Sequence, residues 1–298
     1  MRIAVTGGSG NIGTVVAKRF IARGDEVVIL DRKAPRAEGA RFVFIDLRDR
    51  QFVQPVLEKC DAVIHLGEIP NAGGGESPHD VFVRNCAAGS TVLQVCADLK
   101  IPRVLYTSSA QVYGFWGGGD DRWRTLQMEK LPMDETQPLK PMNPYALAKV
   151  SLERYAEILA REQNLSVAAF RLPAVTQPRW SKRWMEWINR TPKSYREQFD
   201  GFWTFVHVED VATAYELAID KPRPGYEAYH LVSPDIIGVE PLQERLDDMK
   251  ITNIPPLPSG WPANAAPVTC AKAREHFGWE PQHTFAKLTT TAATEAKN

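Results

Sequence analysis

The sequence predicts an α/β fold, a Rossmann-type doubly wound parallel sheet carrying a smaller, mostly C-terminal lobe. Three observations predict it. Three glycines, Gly7, Gly10 and Gly13, stand directly behind the apolar run Arg2-Ile3-Ala4-Val5. Strand-like and helix-like patterns alternate through the first half of the chain, which argues for parallel strands with helices on both faces. The second strand-like run, Glu26-Val-Val-Ile-Leu30, ends on a carboxylate, Asp31.

The glycine segment Thr6-Gly7-Gly8-Ser9-Gly10-Asn11-Ile12-Gly13 lies where a strand passes into a helix. One glycine permits the tight turn, one lets backbone approach a pyrophosphate, and one lets helix and strand pack closely. The helix that follows, about Asn11 to Arg23, aims its amino-terminal dipole at that pyrophosphate. Asp31 falls 18 residues after Gly13, a spacing that suits hydrogen bonds to an adenosine ribose. An ordinary β-turn-α unit without ligand explains the glycines but not the carboxylate.

Further strands are expected at Arg41–Ile45, Ala62–Leu66, Arg103–Thr107 and Ser166–Arg171, with helices at Asp80–Leu99 and Tyr145–Gln163. Ligands of such a sheet sit at the carboxyl ends of its strands. From Pro173 onward the chain is rich in proline (Pro178, Pro222, Pro224, Pro255, Pro256, Pro258), carries Trp180, Trp184, Trp187 and Trp203, and alternates less regularly. We divide it into a dinucleotide-binding domain with the catalytic residues, 1–172, and a smaller substrate-binding lobe, 173–298. Parts such as 203–236 are expected to return to the first domain.

Composition narrows the function classes. Lys plus Arg equals Asp plus Glu at 36 each in 298 residues, so no net field favours nucleic acid or a membrane surface. The four cysteines form no C-x-x-C pair and no zinc-like spacing, so reduced thiols and no metal site are expected. The first strand starts at once, and no apolar run has the length of a membrane span. These features point to a cytoplasmic protein without a signal peptide.

The chemistry concentrates at Tyr145-Ala-Leu-Ala-Lys149, where Tyr and Lys four apart share a helix face. A phenol with a free pKa near 10 needs help to act as a base. An ammonium about 6 Å away, at an effective dielectric of about 20, supplies roughly 2.8 kcal/mol, or about two pKa units. A cationic cofactor in the same pocket would supply the rest. An isolated Tyr-Lys pair more often just decorates a helix, but here the preceding strand ends in Tyr106-Thr-Ser-Ser-Ala-Gln-Val-Tyr-Gly114.

The ordered set of motifs resembles the extended short-chain dehydrogenase/reductase superfamily, the NAD-dependent epimerase/dehydratase family. The resemblance covers most of the chain. It runs through the glycine segment, Asp31, Asp46-Leu47, His65-Leu66-Gly67, Asn85, Ser108-Ser109, Tyr145 with Lys149, Arg171-Leu172-Pro173 and Phe205-Val-His-Val-Glu-Asp-Val211. It implies an NAD-dependent enzyme in which Ser109 holds the reacting oxygen, Tyr145 exchanges a proton with it, and Lys149 holds the nicotinamide ribose and depresses the phenol pKa. It further implies that Gly7, Gly10, Asn11, Ile12 and Gly13 face the pyrophosphate and that Asp31 takes the adenosine ribose, favouring NAD over NADP. Arg32 and Lys33 beside it could greet a 2′-phosphate. Asp46 and Leu47 would flank the adenine, Leu66 and Gly67 the pyrophosphate and ribose, and Pro173 the nicotinamide amide. Asn85 would brace the sheet and the active-site helix.

The departures are as informative. Dehydratases of this superfamily carry an acidic pair where this chain has Ala110 and Gln111, which disfavours loss of water. The fourth strand is followed by Gly67-Glu68-Ile69 instead of the two alanines common in epimerases, a step more like uronate dehydrogenases. Ser109 and Tyr145 are 36 positions apart, longer than in typical relatives, and the surplus near 115–130 would form a flap over the pocket or a tolerated surface loop. Glu68, Ser109 and Gln111 are candidate substrate contacts. So is Arg183, in a segment where Arg179, Lys182 and Arg183 either grip an anion or form a solvated edge. Trp180, Trp184 and Trp187 at helical spacing fit a core stripe better than a ligand cage.

The expected function is hydride transfer between nicotinamide and a sugar-like or sugar-acid alcohol or carbonyl. The alternative is a nucleotide-sugar 4-epimerase with tightly held NAD. A dinucleotide-sensing protein without turnover would not need Ser109, Tyr145 and Lys149. The resemblance also implies a homodimer built on the helix pair Asp80–Leu99 and Tyr145–Gln163.

Overall fold

The computed structural model describes residues 1–70, 75–116, 121–177 and 201–289. Its central sheet is formed by β1 (Arg2–Thr6), β2 (Glu26–Asp31), β3 (Arg41–Phe44), β4 (Ala62–His65), β5 (Arg103–Ser109), β6 (Ser166–Leu172) and β9 (Gly225–His230). The strand order is β3-β2-β1-β4-β5-β6-β9, and every pairing is parallel. A short parallel pair, β7 (Ala174–Thr176) and β8 (Phe205–His207), stands beside it. The strand order reverses between β1 and β4, which opens the crevice where ligands of such sheets bind.

Alternation along the strands feeds two cores. Ile3, Val5, Val27, Ile29 and Ile64 point to one face, Ala4, Val28, Leu30 and Val63 to the other, and all are fully buried or nearly so. The first face is covered by α1 (Asn11–Ala22) and α5 (Val208–Asp220), the second by α2 (Arg50–Leu57), α3 (Pro78–Asp98) and α4 (Pro144–Gln163). Helix starts follow local chemistry. Ser77 Oγ accepts from the Asp80 amide, and Asn143 Oδ1 accepts from the Ala146 amide with Pro144 in the first turn.

Helices α3 and α4 lie side by side, as expected, and Gly89 permits their close approach: a Cβ there would fall 2.5 Å from Leu152 Cδ1. Their apolar residues divide between the interior and the surface. Val81, Val92, Val95, Leu152 and Leu159 are spent inside the chain, whereas Val83, Leu147 and Ile158 are exposed.

Beyond the main sheet the chain forms β7, β8, α6 (Leu242–Asp248), α7 (Ala271–Phe277) and irregular stretches, and α7 packs on β9 and α5. The stretch near 115–130, expected as a flap or a surface loop, is packed against the chain near Asn253 where it is described. Trp123 and Met128 are buried, Met128 N donates to Asn253 O at 2.9 Å, and Asn253 Nδ2 donates to the carbonyls of Trp123 and Leu126. Strand β9 returns to the main sheet and pairs with β6. At that seam Glu153 binds Arg171 at 2.6 Å and Tyr226 at 2.8 Å, and Arg171 Nη1 reaches Tyr113 Oη at 2.6 Å. Tyr113 in turn meets His230 Nε2 at 2.6 Å.

Candidate active site

The site is built at the carboxyl ends of β1, β2, β4 and β5. Gly7, at φ +66°, makes the turn out of β1, and a Cβ on it would fall 2.6 Å from the Leu66 carbonyl oxygen. Gly13 passes so close to this turn that a Cβ would meet Gly7 O at 2.3 Å. Helix α1 starts on Gly10, which offers no side chain to cap its first-turn amides. Those amides and the dipole therefore face the crevice. Asp31 accepts from the amides of Ser9 at 3.0 Å and Lys33 at 3.1 Å, tying the end of β2 to the glycine loop. Leu47 packs across Gly67, where a Cβ would meet its Cδ1 at 2.2 Å. Asp46 is bridged by Arg48 at 2.6 Å, and that hydrogen bond holds its carboxyl down to about 2. Arg32 adds positive charge beside Asp46.

Helix α4 delivers the reactive pair. Its start is fixed by the Asn143 cap, and Asn143 Nδ2 also donates to Gln111 Oε1 at 3.0 Å. Tyr145 is thereby placed beside Ser109, which acts to lower the phenol pKa. Ser109 Oγ also accepts from the Gln111 amide at 3.2 Å. Lys149 Nζ lies 5.5 Å from the Tyr145 ring centroid and 5.0 Å from that of Tyr106, and it donates to Thr107 O at 2.6 Å.

Two features depart from expectation. Glu68, a candidate substrate contact, is turned inward: its side chain is 3% exposed and pairs with Lys149 at 2.7 Å. His65 Nε2 lies 3.3 Å from the same carboxylate, and His65 Nδ1 meets Thr6 Oγ1 at 2.6 Å. Second, the phenol of Tyr145 is not depressed. Burial pushes its pKa above 10, Lys149 pulls it down, and Glu68 pushes it back up. The coulombic help reckoned from Lys149 alone is offset by a carboxylate that the Tyr-Lys spacing gives no reason to expect.

Asn85 does brace the site, but through the loop after β4. Its side chain accepts from Ile69 N at 2.8 Å and donates to Ile69 O at 2.9 Å. Ser109, Gln111, Tyr145 and Lys149 are brought together, with Glu68 behind Lys149; Pro173 follows β6 directly. Arg183 lies outside the described residues, as do Arg179, Lys182 and the three tryptophans near it. Sequence reasoning missed Thr6, Thr107 and Asn143. Only Asn143 carries a readable signal, an Asn-Pro step at a helix start. Among the described residues no cluster of three or more His, Cys, Asp and Glu could hold a metal, and no helix is long and apolar enough to cross a membrane.

A glycine cradle whose turn is closed to a Cβ at Gly7 and Gly13, a helix start without a capping side chain, and a carboxylate at the end of β2 together suit a dinucleotide beside a Ser-Tyr-Lys cluster. The sequence profile of the NAD dependent epimerase/dehydratase family matches residues 3–231, and the chain belongs to that family of enzymes. It is similar to the UDP-glucose 4-epimerase of Streptomyces lividans, 26% identical over 314 residues, 93% of this chain and 90% of that protein. The UDP-glucose 4-epimerase of Lacticaseibacillus casei is 32% identical over 167 residues, 52% of this chain and 45% of that protein. Among solved structures, the UDP-glucose 4-epimerase of Thermus thermophilus in complex with NAD matches with a TM-score of 0.69 at 22% identity, covering 98% of each chain. NAD is the cofactor of the family, and the cradle fits it.

Proposed function

We propose that the chain is a nucleotide-sugar 4-epimerase that keeps NAD through both half-reactions. The observation that carries this reading is the near-full-length similarity to UDP-glucose 4-epimerases, in a chain that brings Ser109, Tyr145 and Lys149 into one cluster. It replaces the broader expectation of a sugar oxidoreductase that releases its reduced cofactor.

In this reading Gly7, Gly10, Asn11, Ile12 and Gly13 hold the NAD pyrophosphate, and Asp31 holds the adenosine ribose. Asp46, Leu47, Leu66, Gly67 and Pro173 line the remainder of the cofactor site. NAD held by these residues would supply the acceptor, and then the donor, of a hydride at a sugar carbon. Ser109 donates a hydrogen bond to the oxygen on that carbon and fixes its position. Tyr145 takes the hydroxyl proton as the carbonyl forms and gives it back when the carbonyl is reduced from its other face. Orientation supplies much of the acceleration, because one oxygen must stay within reach of both hydroxyl groups.

The decisive experiment incubates the purified enzyme with UDP-galactose and follows the anomeric proton signals by NMR, with absorbance at 340 nm recorded in parallel. An epimerase interconverts the two sugars with no build-up of free NADH. One observation favours a second reading, an acidic-sugar dehydrogenase: Glu68 stands where epimerases commonly carry alanine. Sustained NADH release with uronic acids and no epimerisation would establish that reading instead. We further propose a homodimer through Val83, Leu147 and Ile158, exposed on α3 and α4, to be tested by light scattering at micromolar concentration. The four cysteines are unpaired thiols, which supports a cytoplasmic location.

A further inference from the structure

We infer that Glu68 is a positioning residue of the active site: its carboxylate, locked 2.7 Å from Lys149 Nζ, offsets the ammonium charge and keeps the Tyr145 phenol in its protonated, proton-donating form. The inference rests on Tyr145 being the proton-transfer residue, as proposed above, and concerns what sets its readiness.

The geometry leaves the carboxylate little freedom. Glu68 follows β4 in a turn closed by Glu68 N donating to Leu66 O at 2.9 Å. The next residue, Ile69, is clamped at both its amide and its carbonyl by Asn85 from α3. On the far side stands the His65 ring, itself fixed by Thr6 of β1. Thr6 Oγ1 also accepts from the amides of Leu66 and Gly67, both at 3.2 Å. Both charged side chains are 4% exposed or less, so water screens their interaction poorly. Breaking such a pair would strand a buried ammonium, so the two charges stay together.

Lys149 therefore faces two partners with opposite demands. Tyr145, as phenolate, would gain from the ammonium, but the ammonium already has a full counter-charge. The other groups around the pair are accounted for. From β5, Tyr106 stacks near Lys149 and feels the charges of Glu68, Glu153 and Tyr145. Ser109 stands beside the phenol and favours its ionisation. From α4, Glu153 adds weak negative charge at Lys149 but is neutralised by Arg171. From α5, Tyr215 faces Tyr145 and is bonded to Thr107 Oγ1 at 2.8 Å. From α3, burial, with the Glu68 charge adding to it, pushes the Cys86 thiol pKa up. Of these, only Glu68 is a carboxylate in contact with Lys149.

The consequence is a site in which the phenol donates a proton to a carbonyl readily and accepts one from a hydroxyl only when other positive charge enters the pocket. A residue with a merely structural role would leave the titration of Tyr145 where it is.

The test reads that titration directly and needs no substrate, so it stands or falls independently of the epimerase reading. Phenolate absorbance at 295 nm is followed after stopped-flow pH jumps for wild type, Glu68→Gln and Glu68→Ala, each against its own Tyr145→Phe counterpart. The difference isolates Tyr145 from the other seven tyrosines. Both Glu68 variants should ionise Tyr145 at a pH lower by about one unit or more than wild type. Should Glu68→Gln fail to fold, Glu68→Ala carries the test, since it removes the charge without leaving a polar group behind. A midpoint that stays at the wild-type pH in the folded variant, or rises, overturns the inference.

Discussion

The Asp31 carboxylate accepts a 3.0 Å hydrogen bond from the Ser9 amide. The residue that ends β2 thus holds the loop that leaves β1, and two strands share responsibility for one ligand site. Asp31→Ala should weaken NAD binding by about tenfold or more, through the ribose contact and through a loosened glycine loop. It should also narrow the preference for NAD over NADP, since the carboxylate repels a 2′-phosphate. Titration calorimetry with both dinucleotides checks this, and a wild-type preference for NADP would shift attention to Arg32.

Gly13→Ala should damage the cradle more than its one added methyl suggests. The new Cβ would sit 2.3 Å from Gly7 O and 2.7 Å from Gly8 Cα, both backbone atoms that cannot swing aside. A cost of about 1–3 kcal/mol is expected, seen as a lower melting temperature together with weakened NAD binding. Thermal melts with and without NAD separate the two effects. An unchanged melt in both conditions would contradict the close contact.

Tyr145→Phe should cut turnover by about 100-fold or more while leaving NAD affinity near wild type, because the phenol acts on the sugar oxygen. Ser109→Ala should lower kcat by a smaller factor, as it loses one hydrogen bond to that oxygen. Single-turnover kinetics with the most active sugar nucleotide provides the measurement. If Tyr145→Phe kept a tenth of the wild-type rate, another group would have to be the base.

Acid stability should depend on His230. Its ring is buried between Tyr113 Oη and Thr269 O, and burial, helped by the Arg171 charge, lowers its pKa to about 3 from 6.5. A folded-state value below the unfolded one means that only the unfolded chain binds a proton between these limits. Stability is therefore full above about pH 6.5 and falls as the pH drops toward about 3. At pH 5 this amounts to about 2 kcal/mol at most, and His230→Gln should abolish that part of the slope. Melting temperatures at pH 7 and pH 5 for both proteins decide it: equal slopes would mean that His230 does not titrate on unfolding.

The cradle and the Ser-Tyr-Lys cluster were legible in the sequence because each depends on local spacing. Gly7, Gly10 and Gly13 must follow a strand, and Tyr145 must precede Lys149 by one helical turn. Glu68 was visible as an oddity, but its direction was not. Whether a residue after β4 faces ligand or protein depends on Asn85 and His65, which reach it from separate elements. The stretch near 115–130 resisted reading for a similar reason. Glycines and charges there suggest a surface loop, while Trp123 and Met128 find their partners more than a hundred residues away. Which apolar residues of α3 and α4 stay exposed was legible only in part, because helical periodicity does not say which neighbour covers which stripe.

Strand β9 completes the sheet against β6 but begins at Gly225, more than fifty residues after β6 ends at Leu172. During synthesis, or in any chain cut between them, β6 is left with an open hydrogen-bonding edge from Ser166 to Arg171. Over that interval the Glu153–Arg171 pair also lacks the Tyr226 hydroxyl that shares its carboxylate. Where β1, β2 and β4 have already folded, a chain that stops before Gly225 therefore carries an unpaired strand edge and a half-satisfied carboxylate beside their finished pairing.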